Sequence, residues 1–186
     1  MSVRVAVVFG QFGQFADPIN LPAFQQRLQQ AGADTILIQH TDSQKAYNFL
    51  YGFNGFVGIV GASLGAGAGP IFAGYLNKQK VGFVGGFQPS DFDPVMHEVS
   101  IQSGADLITR AVNVPANVVN ALCFRNPVLA VTGGLGHATY VRAPGNAVTV
   151  LDVIERIDAH PGDFGVAQDT MFDRVTGLIK AHAGQA

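Results

Sequence analysis

The residues best suited to chemistry lie at Gly61-Ala62-Ser63-Leu64-Gly65. An apolar, strand-like run precedes them at 55–60, and a run of small residues follows and leads into 71–76. A serine in a G-x-S-x-G sequence between a strand and a helix is typical of a nucleophile, because the sharp turn lifts its hydroxyl above the sheet edge. Glycines beside it let neighbouring elements pass closely, and the helix offers N–H groups to a developing oxyanion. The alternative is a glycine-rich turn that only packs closely.

The elements that must position Ser63 alternate between strand and helix. Strands are predicted at 3–9, 35–38, 55–60, 80–85, 118–124 and 147–154. Helices are predicted at 21–31, from 42 or 43 to about 51, from the strand-to-helix corner at 61–65 to near 77, at 105–112 and at 170–182. This order predicts one α/β domain over 1–186, with three layers, a mostly parallel sheet of about six strands and helices on both faces. Ser63 then falls at the carboxyl edge, where such sheets bind ligands.

Composition excludes several classes of protein and of site. The 186 residues are 48% hydrophobic and 13% charged, which indicates a globular domain with few surface charges. The net charge of −2 lacks the strongly basic balance that is typical of nucleic-acid-binding proteins. The single cysteine, Cys123, excludes an internal disulfide and a multi-cysteine metal site. We expect no metal or organic cofactor, and the low charge leaves room for an apolar active-site rim or a homo-oligomer interface.

Neither a signal peptide nor a membrane span is expected. The first nine residues lack the basic region and cleavage site of a signal peptide. Residues 46–77 carry no charge, but Asn54, Ser63 and Pro70 interrupt them, which favours a buried strand and helix over a lipid-facing segment. We therefore expect a cytoplasmic protein without stable membrane anchoring. Pro70 predicts a kink in the helix after Ser63, or a later start of that helix.

The corner and the order of elements resemble the α/β-hydrolase superfamily in a minimal, lipase- or esterase-like form, with the first strand here matching the superfamily's third. In that superfamily the triad runs serine, acid, histidine along the chain. The resemblance implies that His160, between the run at 148–157 and the final helix, is the general base. His137 is the runner-up, although it precedes the last strand. His40 ends the second strand and is expected to line the site.

The resemblance leaves the acid open. Lipase-like relatives often have Asp-Pro-Val where this chain has Asn126-Pro127-Val128. An asparagine can orient a histidine but cannot stabilise the imidazolium with a full charge. Asp93 or Asp91, after the fourth strand, is the alternative acid. Asp158 is near His160 in sequence, but we expect its side chain to point elsewhere. The other interpretations are a weak dyad, or a retained fold without efficient catalysis.

The resemblance also implies an oxyanion hole and an apolar substrate. The N–H of Leu64 would be one donor, and the loop at 10–15 would supply the second, from Gln11 or next from Phe12. Phe12, Phe15 and Phe87 are candidates to line an apolar cleft, although loop phenylalanines are more often half-buried packing residues. The expected reaction is cleavage of an ester or other acyl bond in a small apolar substrate.

Two other functions remain open from the sequence. Asn126 and the low charge favour a catalytically weak or inactive binding or structural protein with the hydrolase fold. A nucleotide-binding α/β domain would use Gly10-Gln11-Phe12-Gly13 or the residues 65–69 as a phosphate cradle. Neither glycine run completes a dinucleotide fingerprint, and a P-loop lysine is missing.

Overall fold

The computed structural model of the chain describes residues 2–10, 20–87, 89, 111–125, 138–155 and 164–183. These ranges hold eight strands and four helices. The strands are β1 (Val3–Phe9), β2 (Asp34–Gln39), β3 (Phe56–Ala62), β4 (Val81–Phe87), β5 (Ala111–Val114), β6 (Val118–Arg125), β7 (Thr139–Arg142) and β8 (Val150–Glu155). The helices are α1 (Leu21–Gln30), α2 (Ser43–Leu50), α3 (Leu64–Tyr75) and α4 (Phe164–Ala183).

Six strands form one parallel sheet in the order β2-β1-β3-β4-β6-β8. Central strands β3 and β4 are buried along their whole length, as expected for strands covered on both faces. The predicted α/β architecture with about six strands is confirmed. The order reverses beside β1, because β2 lies on one side of it and β3 on the other. The carboxyl ends of β1 and β3 therefore flank a topological switch point, the usual place for a ligand in such a sheet.

Helices cover both faces of the sheet and divide the core in two. On one face, α1 contributes Leu21, Phe24 and Leu28, and α4 contributes Met171 and Val175. On the other face lie α2, α3 and a small second sheet in which β5 pairs parallel with β7. Helix α3, which follows β3 through Ser63, is therefore packed between the main sheet and the small sheet.

The small sheet is the main departure from the prediction. The helix predicted at 105–112 is wrong at its end, because Ala111 begins β5, where exposed and buried residues alternate. Residues 105–110 lie outside the described part. Strand β7 was not predicted, and its pairing with β5 joins segments far apart in sequence. Four-residue strands of this kind carry little local signal.

The described helices include none that is both long and apolar enough to cross a membrane.

Candidate functional site

Ser63 lies at the corner between β3 and α3, at the carboxyl edge of the sheet, and is half-buried. Its backbone has φ 54° and ψ −122°. Among the described residues, Asn20 is the other non-glycine with a positive φ, and it lies in the left-handed region that asparagine tolerates. A residue held in such a sparsely populated conformation costs about 1–3 kcal/mol and persists only where its surroundings enforce it.

Backbone hydrogen bonds hold Ser63 from both sides. Its N–H donates to the carbonyl oxygen of Phe87, the last residue of β4, at 2.9 Å. Its own carbonyl accepts the N–H of Gly67 at 3.1 Å and so opens the hydrogen-bond ladder of α3. Its side chain makes no capping hydrogen bond to α3. The usual structural role of a serine before a helix, N-capping, is therefore not the role of Ser63.

Two glycines bring the first turn of α3 against the sheet. A Cβ at Gly61 would overlap the carbonyl group of Gly65 and lie 2.7 Å from the Ala66 nitrogen. A Cβ at Gly65 would overlap the Val8 carbonyl oxygen and lie 2.7 Å from that of Phe9. The close passage predicted for the glycines of the G-x-S-x-G sequence is confirmed. It places the start of α3 directly over the ends of β1 and β3.

The end of β1 lies beside the serine. A Cβ at Gly10 would be 3.1 Å from the Ser63 Cβ and 3.5 Å from its Oγ. The next residue is Gln11, the predicted second oxyanion donor, and it lies outside the described residues. Leu64, the predicted first donor, is buried as the first residue of α3. The first N–H groups of a helix have no acceptor within the helix, and the oxyanion role of Leu64 stays a prediction.

The residues proposed to complete the triad lie outside the described part of the chain. His160 belongs to the segment between β8 and α4, as the predicted order of strand, histidine and helix requires. Asn126 directly follows β6, and Asp93 follows β4. Because all six strands are parallel, β4, β6 and β8 end at the same edge of the sheet as Ser63. The side-chain roles of His160, Asn126 and Asp93 stay predictions.

The runner-up histidine, His137, also lies outside the described residues, but its neighbour does not. The N–H of Ala138 donates to the Pro89 carbonyl at 2.8 Å, two residues beyond the end of β4. The chain therefore passes the carboxyl edge of the sheet immediately after His137. Both histidines remain candidates for the base.

His40 and Phe87 were also expected to lie at the site. His40 follows β2, and β1 lies between β2 and β3, so His40 is two strand spacings, about 10 Å, from the line of Ser63. Phe87 does not line a cleft, because it is fully buried and packs edge-on against Phe24 with ring centroids 5.7 Å apart. The prediction for Phe87 was wrong since that side of β4 faces α1. Phe12 and Phe15 lie outside the described residues.

A phosphate cradle at residues 65–69 is also wrong. These residues form the first turns of α3, and all of them are buried. Gly65 is pressed onto the β1 carbonyls rather than exposed in a loop. In the described ranges, no three histidine, cysteine, aspartate or glutamate side chains come together as a metal site would require.

One residue important to the corner was missed by sequence reasoning. Tyr140, on β7, is fully buried and donates its hydroxyl to the Ala66 carbonyl in the first turn of α3. Burial raises the pKa of the Tyr140 phenol well above its usual value, with the nearby Cys123 as a lesser cause. Nothing in the sequence pairs residue 140 with residue 66. Pro70 could have indicated that an outside donor is needed, because it removes a hydrogen bond from the helix.

A cavity of about 460 Å³ lies at the opposite edge of the sheet from Ser63. It is formed where β3 and β4 begin and where α4 ends, and its lining includes Phe56, Lys80, Asn120 and His182. Asn120 donates to the Gly82 carbonyl there, and the His182 ring lies 4.9 Å from that of Phe56. The residues that line this cavity do not include Ser63 or its neighbours in the corner.

No protein-family model, no curated protein and no solved structure matches this chain. The functional argument therefore rests on the residues at the carboxyl edge of the sheet.

Proposed function

We propose that this protein is a serine hydrolase, esterase- or lipase-like in a minimal α/β-hydrolase fold, that cleaves an ester or other acyl bond through Ser63. The single observation that carries the proposal is the backbone of Ser63, with φ 54° at a strand-to-helix corner. A strained serine at this corner is the arrangement that exposes a nucleophile at the top of an α/β sheet. The position beside the switch point between β1 and β3 adds support.

The proposed reaction begins with attack of the Ser63 Oγ on the acyl carbon. His160 takes the hydroxyl proton as the bond forms and returns it to the departing alcohol. The negative charge on the carbonyl oxygen is held by the N–H groups of Leu64 and Gln11. Water, activated by the same histidine, then releases the acyl group from Ser63. No metal or organic cofactor is required for these steps.

The proposed substrate is small and apolar. The described residues around the serine, Gly10, Ala62 and Leu64, carry no charge and so offer no counter-ion to a charged acyl group. Asn126 or Asp93 would orient His160, and the two would differ in how well they stabilise its protonated ring. A carboxylate stabilises the imidazolium that forms during attack, whereas an amide only orients the ring.

The direct test is labelling with a fluorophosphonate probe, which phosphonylates activated serines. We expect the wild-type protein to be labelled and Ser63→Ala to be unlabelled. Ser43→Ala is the matched control, because it removes a serine hydroxyl at the start of another helix and should leave labelling unchanged. Equal labelling of wild type and Ser63→Ala would refute the assignment of Ser63, and peptide mapping would identify the residue modified instead.

A second candidate is a catalytically weak or inactive binding or structural protein, and Asn126 is the observation that favours it. This candidate predicts no turnover of p-nitrophenyl esters of any chain length. Exposed valines on the edge strand β8, Val150 and Val153, favour a homo-oligomer in that case, which light scattering would detect. An Asn126→Asp variant that gains esterase activity would favour a weakened enzyme over a protein without a hydrolase site.

A further inference from the structure

Helix α3 contains a proline, Pro70, in its second turn. Proline has no backbone N–H, so it cannot donate to the carbonyl four residues earlier. In α3 that carbonyl belongs to Ala66, which is fully buried. Because water does not reach Ala66, its acceptor would be left unpaired, and such groups are rare in folded proteins.

The phenol of Tyr140 supplies the missing donor. Its hydroxyl lies 2.6 Å from the Ala66 carbonyl oxygen, in a fully buried contact between β7 and α3. The raised pKa of Tyr140 keeps the phenol protonated, and therefore able to donate, throughout the neutral range. A tertiary hydrogen bond thus takes the place of a helical one, and α3 begins at Leu64 despite Pro70.

The structure makes room for this phenol beside the elements that hold the serine. A Cβ at Gly86 would overlap the Tyr140 hydroxyl and lie 2.7 Å from its Cζ atom. Gly86 precedes Phe87, whose carbonyl accepts the Ser63 N–H. The Tyr140 ring therefore lies between the end of β4 and the first turn of α3, and both elements fix Ser63.

We infer that Tyr140 is a positioning residue for the Ser63 site. Its hydroxyl replaces the absent Pro70 N–H and fixes the turn of α3 that presents the Leu64 N–H to an oxyanion. The catalytic part of this inference rests on the proposed function, whereas the link between Tyr140 and Pro70 does not. A displacement of about 1 Å in a catalytic group can lower a rate by about 100-fold, so a small movement of this turn is enough to impair acylation.

The link is tested by a double-mutant cycle on stability, measured by urea unfolding. Tyr140→Phe removes the donor and should raise the unfolding equilibrium constant by about 10- to 100-fold, the range for an unpaired buried acceptor. Pro70→Ala restores a backbone N–H at the helical position, so in that background the effect of Tyr140→Phe should shrink by about tenfold. Tyr75→Phe is the control, because this phenol lies on the same helix but is 55% exposed.

The positioning role is tested by the rate of fluorophosphonate labelling in the four proteins of the cycle and in Tyr75→Phe, well below the denaturant concentration at which any of them unfolds. Tyr140→Phe should slow labelling of folded protein by about 10- to 100-fold, and Pro70→Ala in the same chain should restore most of the rate. Tyr75→Phe should be labelled like the wild type. Rescue by a substitution at a different residue separates positioning from a general loss of structure.

The possible results separate the two parts of the inference. An equal stability cost of Tyr140→Phe in both backgrounds overturns the link between Tyr140 and Pro70. A coupled stability cost with an unchanged labelling rate overturns the positioning role. A wild type that is not labelled at Ser63 overturns the proposed function and the positioning role with it, while the stability cycle still shows the hydrogen-bond replacement.

Discussion

The contact between α3 and β1 predicts opposite effects for two glycine-to-alanine changes in one helix. In Gly65→Ala, the new methyl group would overlap the Val8 carbonyl oxygen and lie 2.7 Å from the Phe9 oxygen. These are backbone atoms of a central strand and cannot rotate away, so we expect a cost near the upper end of overpacking, about 3 kcal/mol. The higher helix propensity of alanine returns about 1 kcal/mol. The free energy of unfolding should therefore fall by about 2 kcal/mol.

Gly74→Ala is the matched control in the last turn of α3. A Cβ there meets no atom within 4 Å, so only the propensity gain of about 1 kcal/mol remains. The two variants should differ by about 3 kcal/mol, roughly a hundredfold in the unfolding equilibrium constant. Urea unfolding with unchanged m-values measures the difference, and fluorophosphonate labelling should be slowed only in Gly65→Ala. Two variants of equal stability and equal labelling would refute the close approach of α3 to β1 and the corner built on it.

Three further predictions test the corner and its supports. Ser63→Gly should be more stable than Ser63→Ala by about 1 kcal/mol or more, because glycine relieves the positive φ; equal unfolding midpoints would argue against strain. Burial raises the pKa of Tyr140, so the folded protein holds this proton more tightly than the unfolded chain, and the free energy of unfolding should fall as pH rises above about 10. One of the four tyrosines should ionise only on unfolding, and ultraviolet absorbance should lose that step in Tyr140→Phe. Asn117→Ala should cost about 1–3 kcal/mol in urea, because its amide donates to the Ala73 and Leu76 carbonyls at the end of α3, but should leave labelling unchanged.

The central strands of the main sheet could be predicted because burial on both faces leaves a local signature. Strands β1, β3 and β4 read as continuous apolar runs, and helix α1 shows apolar spacings of three and four in Leu21, Phe24 and Leu28. The predicted strand boundaries were less accurate where side chains compete for the backbone hydrogen bonds between strands. The last strand was predicted from 147, but the Asn146 side chain accepts the N–H groups of Val148 and Thr149, so β8 begins at Val150.

What could not be predicted depends on contacts between distant residues. Strands β5 and β7 pair across a long separation, and each is four residues long. The effect of Pro70 on α3 could not be judged from the helix alone, because Tyr140 compensates from another sheet. The local rule for proline was correct about the missing hydrogen bond, and tertiary structure decided the consequence.

The distribution of glycine and serine at the corner argues for a functional serine. Gly61 and Gly65 have negative φ values and are required only for close approach, whereas Ser63 has the positive φ that glycine would adopt without strain. A turn selected for packing alone would favour glycine at position 63, in a chain that already contains 23 of them. The strain at Ser63 is instead maintained by the Phe87 carbonyl, by the contact of α3 with β1 and by the Tyr140 hydrogen bond. These contacts around one strained hydroxyl-bearing residue favour a nucleophile over a structural turn. A strained nucleophile at this position requires a Ser63→Gly variant that is more stable than Ser63→Ala and is not labelled.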